Sequence, residues 1–237
     1  MRYDLNCDLG EGEPIRKTAA LMRYVTSANI ACGGHAGDAE TMRAAVQLAV
    51  KHHVHVGAHP GLADRTGFGR NAGELSATGF KLLVLHQVSA LHTIIRTRHA
   101  HLHHIKLHGA LYHMVESDAA LRRAFLEMIA DYWPNTFVYV RAGGSVQRDA
   151  KGVKVWPEGF LDRGYKADGS LVPRTEEGAL LDRRQFAERL RALRRREAIQ
   201  CEEREALELE ARTWCIHGDA EHSIEFARAA RRAFDGS

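Results

Sequence analysis

The stretch Ser27-Ala-Asn-Ile-Ala-Cys-Gly-Gly-His-Ala-Gly-Asp38 decides how the chain is read. Its first half alternates: Ala28, Ile30 and Cys32 share one face, and Ser27, Asn29 and Ala31 the other, as in a strand. Its second half is a glycine loop carrying His35. Glycine reaches backbone angles closed to other residues and lets a ligand approach the main chain. Asp38 then precedes Ala39-Glu-Thr-Met-Arg-Ala-Ala-Val46, where a helix N-cap belongs. Strand, loop and capped helix form a βα unit, which a purely structural turn would also show. Its recurrence along the chain gives it weight.

Outward from that unit the same pattern repeats. Tyr3 to Leu9 reads as a strand, with Leu5, Cys7 and Leu9 on one face and Asn6 and Asp8 on the other. A helix is expected over 15–25 and another from about Ala39 to His52. His53-Val-His-Val-Gly-Ala-His59 is the third strand, stopped by Pro60-Gly61. A glycine-rich loop of the length often tied to function spans 60–75, and Ser76 caps a helix from Ala77 to Arg98. Leu102 to His108 is the fourth strand, with Gly109 to Tyr112 turning away and a helix over 119–131. Thr136–Val140 and Val153–Trp156 are the fifth and sixth strands, the latter followed by Glu158 and a loop over 159–181. A helix over 182–196 follows. Residues 197–211 read either as helix, from their Glu and Arg content, or as strand, from Leu207-Glu-Leu-Glu210. Thr213–His217 is the last strand, and a helix runs from about Ala220 to Arg232. About seven strands alternating with helices suit a parallel α/β barrel of this length. With no linker or fixed-period repeat in view, one domain over 1–237 is expected.

Composition narrows the function. The chain has 237 residues, 45% of them hydrophobic, and a net charge of +3 from 33 basic and 30 acidic side chains. Neither sign dominates, so nucleic acid and membrane surfaces are not expected partners. Cys7, Cys32, Cys201 and Cys215 form no CxxC pair, which fits a reducing compartment without structural zinc. No leader or bilayer-length apolar run is expected, and the cytoplasm is the default location. Histidine is over-used, at 15 residues. Those at strand ends matter most.

Parallel strands covered by helices usually read as unbroken apolar runs. Here each has one polar face. The polar set is Asn6, Asp8, Asn29, His55, His59, Lys106, His108, Glu158 and His217, with His35 one turn beyond the second strand. Barrel and open-sheet active sites gather at the C-terminal ends of strands. The bland reading is a set of core polar groups satisfying one another, since burying an unpaired charge is costly. There is no GxxxxGK[ST] phosphate loop and no GxSxG elbow. Carboxylate, imidazole and Lys106 remain. Such a set can hold a divalent metal, act as acid and base near neutral pH, or meet a phosphate.

The motifs also resemble a known family. Asn6-Cys-Asp-Leu-Gly-Glu-Gly12, Ser27 to Gly33 with His35-Ala-Gly-Asp38, and Gly57-Ala-His-Pro-Gly61 with Gly67-Phe-Gly-Arg70 are similar to the LamB/YcsF family. So are Lys106 with His108-Gly-Ala-Leu-Tyr112, Asp162-Arg163 with Tyr165, Leu171-Val-Pro-Arg174, and Cys215 with His217-Gly-Asp219. The resemblance implies an incomplete seven-stranded β/α barrel of the glycoside hydrolase/deacetylase type. It implies ATP-dependent opening of the 5-oxoproline lactam to L-glutamate, in the role of the A subunit of an ATP-hydrolysing 5-oxoprolinase that also has B and C subunits. ATP with Mg2+ is the expected cofactor, and the 197–211 stretch is then a hairpin. The chain departs at Gly34, where the family carries an aromatic, at Leu107 between Lys106 and His108, at Leu161, and in a shortened segment after Glu11.

On this reading Asp8 and His59 are base or metal ligand, and His35 and His108 polarise the lactam or protonate its nitrogen. Lys106 and Arg70 supply charge to phosphate. Asn6, Glu11, Asn29, Arg70, Glu158, Arg174 and His217 are assigned to substrate or phosphate binding. Asp8, His35, His59 and His108 are the candidate ligands of a divalent metal. Lys106→Met is expected to lower turnover without disturbing folding. Two other functions stay open: a metal-dependent deacetylase-like hydrolase without ATP, and a non-catalytic subunit that presents the lactam to a partner.

Overall fold

The computed structural model describes residues 3–202 and 205–236. Its first half runs β1 (Asp4–Leu9), α1 (Ile15–Leu21), β2 (Ser27–Ala31), α2 (Ala39–Lys51), β3 (His55–His59), α3 (Ala77–Arg96) and β4 (Leu102–Ile105). Then follow α4 (Gly109–Ser117), α5 (Ala119–Tyr132), β5 (Phe137–Arg141), α6 (Ser145–Asp149) and β6 (Val155–Phe160). The chain continues with α7 (Arg183–Arg195), β7 (Ile199–Gln200), β8 (Ala206–Leu207), β9 (Thr213–His217) and α8 (Ser223–Asp235). Seven parallel strands close in the order β1-β2-β3-β4-β5-β6-β9. The barrel is one strand short of eight, and β6 pairs directly with β9 to seal it. Among the described residues no helix is long and apolar enough to cross a membrane.

The alternation in the strands now has its cause. Leu5, Cys7, Leu9, Ile30, Val56, Ala58, Val138, Val140 and Ile216 are buried in the apolar layer shared with the helices. Asp4, Asn6 and Asp8, one residue out of phase, meet polar partners from other strands. Parallel strands read as unbroken apolar runs only when both faces meet apolar neighbours. This barrel is filled with polar side chains instead. Thr213, Ser27 and Tyr139 bond with Asp4 in the lower layer. Space for the filling is made locally: a Cβ on Gly57 would overlap the His104 ring.

Several boundaries move. β4 ends at Ile105, but Lys106 and His108 still bond to Ala58 and Pro60 (2.9 and 2.8 Å), so the chain stays extended beyond the ladder. The sixth strand is Val155–Phe160, not Val153–Trp156; Pro157 and Gly159 sit inside it, although that pair reads as a turn in sequence. Residues 109–117 form a helix where a turn was expected. The 197–211 stretch contains the short antiparallel pair β7–β8, and residues 203–204 between those strands lie outside the described residues. The four cysteines are buried and free.

Candidate functional site

Seven of the residues singled out in sequence line one cavity of about 380 Å³: Asp8, His59, Arg70, Lys106, His108, Arg174 and His217. Strand register brings the first of them together, since Asp8 pairs with His217 on one side and Asn29 on the other, and Ala31 pairs with His59. Asn6, Asn29 and Glu158 bond to that floor from within the barrel, and Glu11 and His35 adjoin it. His55 does not join them. It starts β3, is exposed, and stacks on His103 (4.1 Å between ring centres).

Lys106 is the electrostatic centre of the floor. Its ammonium contacts Asp8 Oδ1 (2.9 Å), Glu158 Oε1 (3.0 Å) and Cys215 Sγ (3.0 Å). Burial pulls its pKa down, but Asp8 and then Cys215 and Glu158 outweigh this and hold it well above the ordinary lysine value. That charge is committed to carboxylates, so the structure does not leave Lys106 open to a phosphate as the sequence suggested. Burial likewise pushes Asp8 up, and His59 and Lys106 more than reverse it, so Asp8 is ionised. Asp8 Oδ1 accepts from both Lys106 and the Asn29 amide (2.6 Å). Asp8 Oδ2 is left to the histidines, His59 Nε2 at 3.5 Å and His217 Nε2 at 3.9 Å.

A second carboxylate gathers the remaining imidazoles. Glu11 Oε1 lies 2.9 Å from His35 Nε2, 3.1 Å from His108 Nδ1 and 3.7 Å from His59 Nε2. Burial raises its pKa, but the contacts with His108 and then His35 outweigh this, and the carboxylate stays well below its usual range. Two carbonyls set the tautomers. His59 donates Nδ1–H to the Lys106 carbonyl (2.7 Å), and His108 donates Nε2–H to the Phe68 carbonyl (2.9 Å). The two nitrogens left over face each other at 3.0 Å and both face Glu11. In neutral rings they are lone pairs. Two lone pairs and a carboxylate need a cation between them, either a proton or a metal. A proton on His59 meets the need: burial lowers its pKa, yet Asp8 outweighs this and raises it. Burial lowers His108, and pulls His35 to about 4, so these two are neutral near pH 7.

The ligand set for a metal therefore differs from the one expected. Glu11, His35, His59 and His108 offer ligand atoms within 4.8 Å of one another, with Glu11 where Asp8 was expected. Carbonyls behind His59 and His108 supply the outer-shell support that metal-binding histidines usually have. The buried His35 Nδ1 has no hydrogen-bond partner. Three imidazoles and a carboxylate fit a divalent transition metal. Asp8 falls in a separate group with Cys215 and His217, where Lys106 already supplies the positive charge.

The loop between β3 and α3 seals the imidazoles. Phe68 takes a left-handed φ of 54° and sets its ring edge-on to His35 and His108. Gln87 of α3 pins the start of the loop, accepting from Gly61 N (3.1 Å) and donating to Gly61 O (2.7 Å). A Cβ at Gly34 would overlap the Gly61 carbonyl oxygen (2.5 Å) and the same Gln87 amide (2.6 Å). That accounts for the missing aromatic at position 34.

Some participants were missed in sequence. His104, fully buried on β4, contacts Asn29 Oδ1 through Nε2 (2.6 Å) and stacks on Tyr139 (3.9 Å), so it orients the amide that holds Asp8. It lies mid-barrel, away from the strand ends that signal a site in sequence. Asp162 accepts from the His217 backbone (2.8 Å) and lies 3.0 Å from its Nδ1. Tyr112 lines the cavity, and its hydroxyl and Glu158 Oε2 are buried without hydrogen-bond partners.

The lower histidines carry a pH prediction. Burial and then His55 pull His103 to about 4, and burial takes His104 well below 6.5. The unfolded chain binds these protons near pH 6.5 and the folded chain does not, so stability falls as pH drops from about 6.5 to 4. Melting temperatures across that range should fall for the wild type, with a shallower slope in His103→Phe. Equal slopes would show that His103 does not contribute.

Fold and site define a β/α-barrel protein with a carboxylate–imidazole centre at its C-terminal mouth. The chain belongs to the LamB/YcsF family, whose model matches residues 3–237. It is 40% identical over 241 residues to the 5-oxoprolinase A subunit of Pyrococcus furiosus, covering 99% of this chain and 94% of the relative. It is also 40% identical over 238 residues to the 5-oxoprolinase A subunit of Bordetella pertussis, covering 98% and 94%. A crystal structure of a lactam utilization protein from Thermus thermophilus superposes with a TM-score of 0.89 at 35% identity, covering 100% of this chain and 97% of that one.

Proposed function

We propose that this chain opens the lactam of 5-oxo-L-proline to L-glutamate, as the A subunit of an ATP-dependent 5-oxoprolinase that includes B and C subunits. The observation that carries the reading is the placement of Asp8 Oδ2 3.5 Å from His59 Nε2, two groups able to act as base and acid, at the base of a cavity sized for a small molecule. Ring opening needs a base for water and an acid for the departing nitrogen. Asp8, locked through Oδ1 and facing the cavity and His59 through Oδ2, takes the proton from water. His59 gives its Nε2 proton to the ring nitrogen, and the fixed Nδ1–H keeps its orientation through the cycle. Glu11 stabilises the imidazolium, and Asp162 steadies His217 beside Asp8. ATP supplies the free energy that makes the amide carbon electrophilic.

The Glu11–His35–His59–His108 group supports a second reading, a metal-dependent hydrolase without ATP. A divalent ion there would supply an activated water. The deciding experiment assays the chain alone and with its partner subunits, before and after dialysis against a chelator. Glutamate formed together with ADP, only in the assembly containing this chain, supports the first reading. Lactam opening by the metal-loaded chain without ATP supports the second. No lactam-dependent product under either condition rejects both.

A further inference from the structure

The cavity is electrically two-ended. Its floor carries the Asp8 carboxylate, and its walls are mainly apolar, from Leu107, Phe160, Val172 and Pro173. Its rim carries Arg70 and Arg174. Both reach one acceptor, Asp219 Oδ2, at 3.4 and 3.7 Å, longer than good charge-assisted hydrogen bonds. Asp219 is the one carboxylate within ion-pair reach of the two among the described residues, which leaves several of their N–H donors without a side-chain acceptor. Arg70 is held in place by the Phe68 ring, 4.6 Å below its guanidinium. Burial and the neighbouring Arg174 lower its pKa, the mark of like charges crowded together. Arg163, also on the cavity, is already bound to the Ala179 and Val172 carbonyls.

We infer that Arg70 and Arg174 form the subsite for the α-carboxylate of a lactam acid, and so set the preference for a carboxylated ring over a bare lactam. This rests on the lactam reading above. The free N–H donors of the pair match a carboxylate, and the planar fork of arginine suits its two oxygens. The ring then lies along the apolar walls with its amide towards Asp8 and His59.

The test uses the assembly of this chain with its partner subunits and two substrates, 5-oxo-L-proline and 2-pyrrolidone, which lacks the carboxylate. Arg70→Met and Arg174→Met keep the apolar stems, and an unchanged melting curve is required of each. The expected result is a KM for 5-oxo-L-proline raised about 10- to 100-fold, the scale of a lost charged hydrogen bond. The preference over 2-pyrrolidone should fall by a similar factor, with partial recovery in Arg174→Lys. An equal loss on both lactams overturns the inference. So does a raised KM for ATP at constant lactam KM, which would assign the pair to phosphate. If the wild-type assembly turns over 5-oxo-L-proline and the variants keep its preference, only the inference fails. If the wild type shows no lactam-dependent turnover, the lactam reading fails and takes the inference with it.

Discussion

Asp8→Asn should lower lactam-dependent turnover about 10²-fold or more, the usual scale for a general base, in a protein that still folds. The change keeps the shape of the side chain. Its oxygen can still accept from Asn29 and Lys106, where Asp8 Oδ1 now does. Its amide nitrogen then replaces Oδ2 beside His59, and both the base and the charge that keeps His59 protonated are gone. Lys106 retains Glu158 as a partner at 3.0 Å, so the floor is not stripped of negative charge. Assay within the assembly, alongside a melting curve, separates catalysis from folding. A folded Asp8→Asn chain with full activity would sink the base assignment and favour a subunit that only presents the lactam.

Lys106→Met should lower stability substantially, contrary to what the sequence suggests. Lys106 is 2% exposed and bridges two buried carboxylates. Removing one member of a buried ion group typically costs about 3–5 kcal/mol, because the partners are left uncompensated. For a chain of this size that corresponds to roughly 10 °C in melting temperature. Adding Glu158→Gln to Lys106→Met removes one stranded charge and should restore part of the loss. A melting temperature unmoved by Lys106→Met would mean that water or a shifted protonation already balances those carboxylates.

The sequence could show which face of each strand is polar, because side-chain parity is a property of the strand alone. Asp8, His59 and His217 were legible for that reason, and so was the barrel. Depth within the barrel was not, since it depends on how far each strand is staggered against its neighbours. His104 illustrates this: it shares the parity of Lys106 and His108 but sits a layer lower, in the space that Gly57 leaves. Glu11 was singled out as a binding residue, but its place among the histidines was not legible. It follows β1 in a loop whose path is set by Glu13, which accepts from Gly10 and Glu11 backbone amides (2.7 and 2.9 Å), and local propensity does not encode that path. β6 was obscured by Pro157 and Gly159, which read as turn residues but are tolerated inside a strand once its neighbours supply the packing.

The Gly61 carbonyl and the Gln87 amide together close the space beside Gly34, so the start of the β3–α3 loop and α3 constrain position 34 jointly. An aromatic grafted at 34 from a relative would displace the amide that pins Gly61, while a smaller residue at 87 would leave a void beside Gly34 and free the loop that carries Phe68 and Arg70. Chimeras that swap the glycine loop without α3 will inherit that incompatibility.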